Sequence, residues 1–280
     1  MSLALTSPRG RGLRITANLV ALLIGVCFLL PMLWLVFASF DGSATLSVRL
    51  PDEWSIANFG AVLTPERTFI PLANSLVLAG GCAVITVVVA VLAAYPLSRY
   101  RLRMNKPFLY GILFGTCLPI TAIMVPVYML FVSFGLLDSI PGTMLFLAAT
   151  SLPMAIWMMK NFMDSVPISL EEAAWIDGAS MLTTLTRVVV PLMRSGIGVV
   201  FIFVFMGAWG NFFVPFVLLL TPDKQPAAVS IFSFFGQYGS VAYGQLAAFS
   251  ILYSVPILAL YVLVSRLSGG AFALAGAVKG

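Results

Sequence analysis

Residues Pro167 to Pro191 read PISLEEAAWIDGASMLTTLTRVVVP, the longest polar interruption in an otherwise apolar chain. Ser169 followed three residues later by Glu172 has the spacing of a capping box, in which hydroxyl and carboxylate each satisfy the other's backbone amide, so a helix is expected to start there. Glu171 and Glu172 in its first turn would face the positive end of the helix dipole, and Ala173 and Ala174 are strong helix formers. Gly178 offers a stop or a sharp bend. A second helical run is expected from about Ser180 to near Pro191, which lacks the amide that a helix interior needs. The stretch reads as two short helices with a hinge between them.

Of the 280 residues, 61% are hydrophobic and 9% charged, too apolar for a soluble globule. The absence of histidine removes the commonest general base and metal ligand, so no catalytic or metal site is expected. Cys27, Cys82 and Cys117 fall in separate apolar runs without metal-ligand spacing and read as buried small residues. No GxxxxGK[ST] phosphate loop is present, so any ATP would be bound by a partner.

Outward from the central stretch, charge-free runs divide the chain. Arg9, Arg11 and Arg14 precede Ile15–Phe40, about 39 Å as a helix against a hydrocarbon core of roughly 30 Å, and read as an uncleaved first span. Asp41 to Ile70 is a polar connection carrying a short interfacial segment. Pro71–Ser98 and Pro107–Leu137 are the second and third runs. The third is expected to kink or unwind at Pro119 and Pro126, its freed carbonyls satisfied by neighbouring helices or a wet cavity. Gly142–Met159 forms a fourth span of minimal length, and Ser195–Pro222 the fifth. Beyond Lys224 the apolar stretch is too long for one helix. Gly236–Ser240 is its expected break, before a final span from about Val241 to Ser265.

The fold class is therefore an all-α membrane protein with six transmembrane helices. Residues 1–70 form an N-terminal tail, first span and outer loop, residues 71–265 a core that includes the 167–191 loop, and residues 266–280 a C-terminal tail. No ionisable residue falls inside a span, whereas an ion-coupled carrier needs one. Twelve basic residues lie on the side of the N-terminus and only Arg49, Arg67 and Lys224 on the other. The positive-inside rule places both termini and the 167–191 loop in the cytoplasm.

The order Glu172-Ala173-Ala174, three residues, Gly178, then an aliphatic run closing on Pro191 resembles the EAA loop of ABC importer permeases, with Val188-Val189-Val190 in place of the usual Ile-x-Leu. Asn74-Ser75, Ala93-Ala94-Tyr95 ahead of Arg99, and the ending Gly276-Ala277-Val278-Lys279-Gly280 are similar to carbohydrate permeases of the maltose type. The resemblance implies a type I ABC importer permease fold in a bacterial or archaeal cytoplasmic membrane. It implies a second homologous permease, two ABC ATPase subunits carrying ATP and Mg, and an extracytoplasmic solute-binding protein, with no nucleic acid involved. This chain would be a transporter subunit and not an enzyme.

The same resemblance implies that Glu171, Glu172, Ala173, Ala174, Asp177, Gly178 and Pro191 couple the chain to the ATPase, Glu172 making the docking contact and Gly178 the bend. The tail residues Gly276, Val278, Lys279 and Gly280 would extend towards the ATPase pair, and Gln237 and Tyr238 would face the binding protein. Trp209-Gly210-Asn211 looks like the Trp-Asn-acidic stretch of sugar permeases with the polar pair replaced. Trp209 or a nearby ring could stack on a sugar and Asn211 bond a hydroxyl, or both could serve helix packing. Asn74 reads as a pathway residue or as interhelical glue. A sugar or sugar derivative is the expected solute. Glycerol-phosphate esters, amino acids or peptides stay open within this architecture, and a membrane scaffold without transport stays open outside it.

Overall fold

The computed structural model describes residues 8–100, 103–236 and 241–267. They form helices and connections, with no β-strand among the described residues. In chain order the helices are α1 (Pro8–Ser39), α2 (Ala57–Val62), α3 (Ile70–Arg99), α4 (Asn105–Gly115), α5 (Ile120–Ser133), α6 (Ile140–Asp164) and α7 (Ile168–Ile176). There follow α8 (Met181–Thr184), α9 (Val190–Leu192), α10 (Arg194–Trp209), α11 (Phe213–Leu218), α12 (Ala227–Ser230) and α13 (Tyr243–Leu267). Among the described residues four helices are long and apolar enough to cross a membrane, and two sharply bent pairs raise the number of candidate spans to as many as six. The architecture is the all-helical, multi-span one that the apolar runs imply.

Several boundaries differ from those expected, each for a local reason. In the third run α4 and α5 meet at 89°. Pro119, extended at ψ 128°, sets the break, whereas Pro126 sits inside α5 without ending it. The fourth span is longer than Gly142–Met159. Ser139 caps it by accepting from the Gly142 amide at 3.2 Å, and a Lys160–Asp164 pair one turn apart carries it on to Asp164. The fifth run is not one helix. It stops at Trp209, and Asn211 Oδ1 accepts from the Val214 amide at 3.1 Å, capping the first turn of α11 instead of continuing α10.

The described residues fall into two compact units, one drawn from 8–64 with 231–236 and 241–252, the other from 65–100 and 103–230 with 253–267. In the first, α1 carries an apolar stretch from Thr16 to Ser39 that is open along most of its length and buried at its end, at Ala38 and Ser39. At its end Asn58 donates to the carbonyls of Ser39 at 3.2 Å and Asp41 at 3.0 Å, and Gly244 lies where a Cβ would strike the Asn58 amide. In the second unit α3 is central, with α6 and α10 packed along it. Ala79, Cys82, Ala83, Ala90 and Ala94 of α3 face Ala148, Ala155 and Met159 of α6 in one buried cluster. Lipid gives no hydrophobic drive between helices, so residues that let backbones approach decide which helix sits in the middle. Cys82 is buried as expected. Cys27 and Cys117 are exposed, one on the outward-facing α1 and one at the α4–α5 break.

At the end of the second unit remote from Arg99, three connections are tied together. Asp138, at φ 58°, accepts from the amides of Leu220 at 2.9 Å and Thr221 at 3.0 Å, from the Thr221 hydroxyl at 2.6 Å and from Lys224 Nζ at 2.7 Å. Asn74 donates to the carbonyls of Asp223 at 2.7 Å and Gln225 at 3.2 Å, and Ser75 Oγ accepts from the Ala227 amide at 2.8 Å. Asn74 is thus an interhelical fastener. Lys224, then Thr221, hold the Asp138 carboxyl well below the usual carboxylate range. A depressed folded pKa gives stability that is present above the unfolded value and lost as the pH falls towards the folded one.

Two outcomes are expected. Wild type should melt at a higher temperature in detergent than Asp138→Asn at neutral pH, and the gap should begin to close below pH ~4, the ordinary aspartate value. A gap that widens in acid would refute the clasp. In addition, a Cβ on Gly196 would lie 2.5 Å from Cγ and 2.8 Å from Cβ of Phe162, whereas one on Gly80 would meet nothing within 4 Å. Gly196→Ala should therefore lose ~1–3 kcal/mol in an unfolding titration through overpacking, and Gly80→Ala should lose nothing.

Candidate functional site

The 167–191 stretch folds as two short helical pieces around a hinge, but not through the expected cap. α7 begins at Ile168 with Pro167 before it, and no side chain caps its first turn. Ser169 is already inside the helix, so the Ser169–Glu172 capping box is absent. The fixed φ of Pro167 and the anchoring of the Val166 carbonyl by Arg99 at 3.1 Å start the helix instead. At the other end the expectation for Gly178 holds. Its φ is +84°, its amide donates to the Trp175 carbonyl at 3.0 Å, and Ala179 donates to Ala174 at 2.9 Å. This is a Schellman turn that needs a residue without a Cβ. Ser180 then caps α8 by accepting from the Thr183 amide at 3.3 Å.

The second piece ends, as expected, near Pro191. One wide turn over Leu185–Val189 precedes it, with the Val190 amide donating five residues back to Leu185. The helical path then runs through Pro191 to Leu192. The chain bends by 80° between that path and α10. A π-type turn absorbs the proline's missing donor and ring clash without breaking the helix.

The two adjacent glutamates have opposite fates. Glu171 is fully buried, whereas Glu172 is exposed. Glu171 Oε1 takes Arg99 Nε at 2.5 Å, with the two side chains 0% and 6% exposed. Its Oε2 accepts from the Tyr95 hydroxyl at 2.9 Å. Arg99 also donates through NH1 to Ser98 Oγ at 3.2 Å, and Ser98 Oγ donates to Asp164 at 2.6 Å. Asp164 is paired with Lys160 at 2.5 Å. A continuous polar chain therefore runs from α7 through the end of α3 to the end of α6. Tyr95 and Arg99 are one helical turn apart on the same face of α3. The sequence showed both, one within a family likeness and the other within a charge count, but nothing in it paired them with Glu171.

The opposite face of α7 is unpartnered. Glu172, Ala173 and Asp177 are exposed and Ala174 half-buried. Trp175 is 43% and Ile176 87% exposed.

A second feature is a cavity of about 630 Å³ between the α4–α5 break, α6 and α10, lined among others by Thr116, Thr150, Ser151, Phe203 and Asn211 and by no charged side chain. The eleven residues of α4 rise about 16 Å, half a hydrocarbon core, so the break lies at mid-depth if α4 stands upright. The hydroxyls of Thr116, Thr150 and Ser151 donate to carbonyls of their own chain segments at 2.6, 3.0 and 2.8 Å, which leaves oxygen lone pairs for a ligand. Asn211 spends its oxygen on Val214 and keeps its amide donors. Trp209 is not on the cavity wall. It is 1% exposed, stacked between Phe205 at 5.5 Å and Tyr253 at 5.3 Å. Gln237, Tyr238, Gly276, Val278, Lys279 and Gly280 lie outside the described residues.

Residues 86–270 match the family model described as the binding-protein-dependent transport system inner membrane component. A putative ABC transporter permease protein of Streptomyces antibioticus is 33% identical over 231 residues, covering 82% of this chain and 100% of the relative. A diacetylchitobiose uptake system permease protein of Streptomyces coelicolor is 29% identical, covering 91% and 85%. A maltodextrin transport system permease protein of Bacillus subtilis is 28% identical, covering 90% and 92%. Among solved structures, a chain of a bacterial ABC transporter involved in the import of the acidic polysaccharide alginate superposes with a TM-score of 0.80 at 23% identity, covering 93% of this chain and 98% of that one. The two share their fold.

Breaking a buried pair by removing one partner costs ~3–5 kcal/mol, whereas replacing both with apolar groups is often neutral. Glu171→Ala should lower the unfolding free energy in detergent by that amount, and Glu171→Ala with Arg99→Leu should recover most of it. An unaltered midpoint for Glu171→Ala alone would show that the pair does not hold α7.

Proposed function

The chain belongs to the family of binding-protein-dependent transport system inner membrane components, the permeases of ABC importers, and from that premise we propose that it is one of two permease subunits that together pass a sugar or sugar derivative across the membrane. Two ABC ATPase subunits bind ATP and Mg and grip α7, and an extracytoplasmic solute-binding protein delivers the solute at the Asp138 end. Both termini and α7 face the cytoplasm. The tail from Gly276 to Gly280 reaches towards the ATPases, and Gln237 and Tyr238 lie where the binding protein docks.

The observation that carries the coupling role is the division of α7 into two faces. Its buried face is tied to α3 by Glu171 and Arg99, and its other face presents Glu172, Ala173 and Ile176 to a partner. A helix secured to its own subunit on one side and bare on the other transmits a displacement applied to the bare side. Gly178 lets the chain turn sharply beside it.

The solute class is supported by the relatives named for diacetylchitobiose and maltodextrin and by the cavity at Thr116, Thr150, Ser151 and Asn211. Neutral acceptors beside an amide donor match the hydroxyls of an uncharged saccharide. A phosphate ester or an amino acid would bring charge to a wall that has none to answer it.

Purifying the tagged chain from its native membrane should bring down a second permease and two ABC ATPases whose turnover rises when the ligand-loaded binding protein is added. Glu172→Ala should cut that stimulation ~10-fold, the effect of losing about 1.4 kcal/mol at an interface, with the assembly intact. Recovery of the chain with no ATPase attached would refute the proposal.

A further inference from the structure

The end of the second unit that carries Arg99 has a cavity of its own. It measures about 360 Å³ and lies between the end of α3, the start of α4 and the end of α6. Lys106 and Lys160 line it with Tyr100, Tyr110, Trp157 and Asn161, and no carboxylate is on its wall. Lys106 has no ion-pair partner among the described residues, and Lys160 has only the half-exposed Asp164 at its rim. The Asn161 amide is likewise without a hydrogen bond among the described residues. The three aromatic rings are too exposed to be core, at 47% for Tyr100, 67% for Tyr110 and 38% for Trp157. Such rings collect where one end is apolar and the other polar, at the headgroup level of a bilayer.

Beside this cavity runs a groove of different character. Ala93, Pro96, Leu97, Met104, Pro107 and Phe108 line it, it holds about 480 Å³, and it shares Leu97 and Asn105 with the basic cavity. A cationic, amide-bearing hollow joined to an apolar slot fits a ligand with an anionic head and a hydrocarbon chain. A free phosphate would use the first and leave the second empty.

We propose that this pair of hollows is a binding site for an anionic phospholipid, its phosphate held between Lys106 and Lys160 and an acyl chain laid along Leu97 and Phe108. Basic pockets between spans on the cytoplasmic side bind acidic headgroups through the same charge complementarity. The assignment rests on the family reading only for which leaflet the lipid comes from. Lys160 is also the outer end of the polar chain that leads through Asp164, Ser98 and Arg99 to Glu171, so the headgroup would sit at the base of the coupling helix.

The test is native mass spectrometry of the full chain, purified with whatever subunits accompany it and exchanged into mixed micelles containing phosphatidylglycerol or phosphatidylcholine. Wild type should retain phosphatidylglycerol under activation that strips phosphatidylcholine. Lys106→Gln with Lys160→Gln should lose about tenfold in phosphatidylglycerol retention, and the two Lys→Arg replacements should keep it. Should the double variant fail to accumulate, Lys106→Gln alone carries the comparison, since that exposed side chain holds no bond among the described residues. Equal retention of the two lipids, or retention indifferent to the lysines, overturns the proposal. So does retention of inorganic phosphate with the same lysine dependence while phosphatidylglycerol is stripped, because the groove would then have no occupant. Mass is read without turnover, so a chain that carried no sugar would still give the answer.

Discussion

A carboxylate withdrawn completely from solvent is the constraint on which the rest turns. Taking an ion out of water costs several kcal/mol even after relaxation, and Glu171 offsets that cost only because Arg99 and Tyr95 meet both of its oxygens. The same guanidinium holds the Val166 carbonyl, so one side chain fixes both the entry to α7 and its rotation. Successive residues on a helix are about 100° apart. Once Glu171 is locked inward, its neighbour Glu172 must point away. Two adjacent glutamates are therefore not duplicates. One secures the helix and the other is displayed by it.

Apolar packing in lipid cannot supply this kind of orientation, and the second unit shows what it supplies instead. Alanines along α3 bring α6 and α10 close, which makes an unbroken pillar. The polar features lie where neighbouring helices give up their regularity. The α4–α5 break puts Thr116 on one wall of the large cavity, and the α10–α11 break puts Asn211 on another. Both breaks expose backbone that cannot be left bare in hydrocarbon. The cavity lies where the two interruptions meet, and under the proposed function it gives an uncharged solute its partners.

The all-helical, multi-span class, the hinge at Gly178 and the helix break near Pro119 were legible because composition and glycine or proline chemistry act over a few residues. One local reading failed for a tertiary reason. Ser169 and Glu172 have the spacing of a capping box, but Arg99 fixes the chain two residues earlier and carries the start of α7 past them. Pro191 does mark the end of the second piece, just before the chain turns by 80°, with a wide turn ahead of it to take up the missing amide. Trp209 was open between a sugar platform and helix packing, and ring stacking in the core is the packing alternative. The pairing of Glu171 with Arg99 spans 72 positions, and no periodicity reaches that far. The only hint was that Tyr95 and Arg99 put a hydroxyl and a cation on one face at a helix end.

The position of those partners also says how far a movement of α7 would travel. α3 is 30 residues long, about 45 Å from end to end. Arg99 and Tyr95 tie its last turns to α7. At its first turns Asn74 and Ser75 tie it to the connection from Asp223 to Ala227, which Asp138 and Lys224 join to the start of α6. A hydrogen-bonded helix resists compression along its axis, and the small-residue seams of α3 against α6 and α10 permit sliding or rocking. Under the proposed function, a displacement imposed by an ATPase at Glu172 would therefore reach the clasp on the opposite membrane face as a rigid-body shift. The cavity, built between α3's neighbours, lies between the two fastened ends, where such a shift would alter the access of a bound solute to either side.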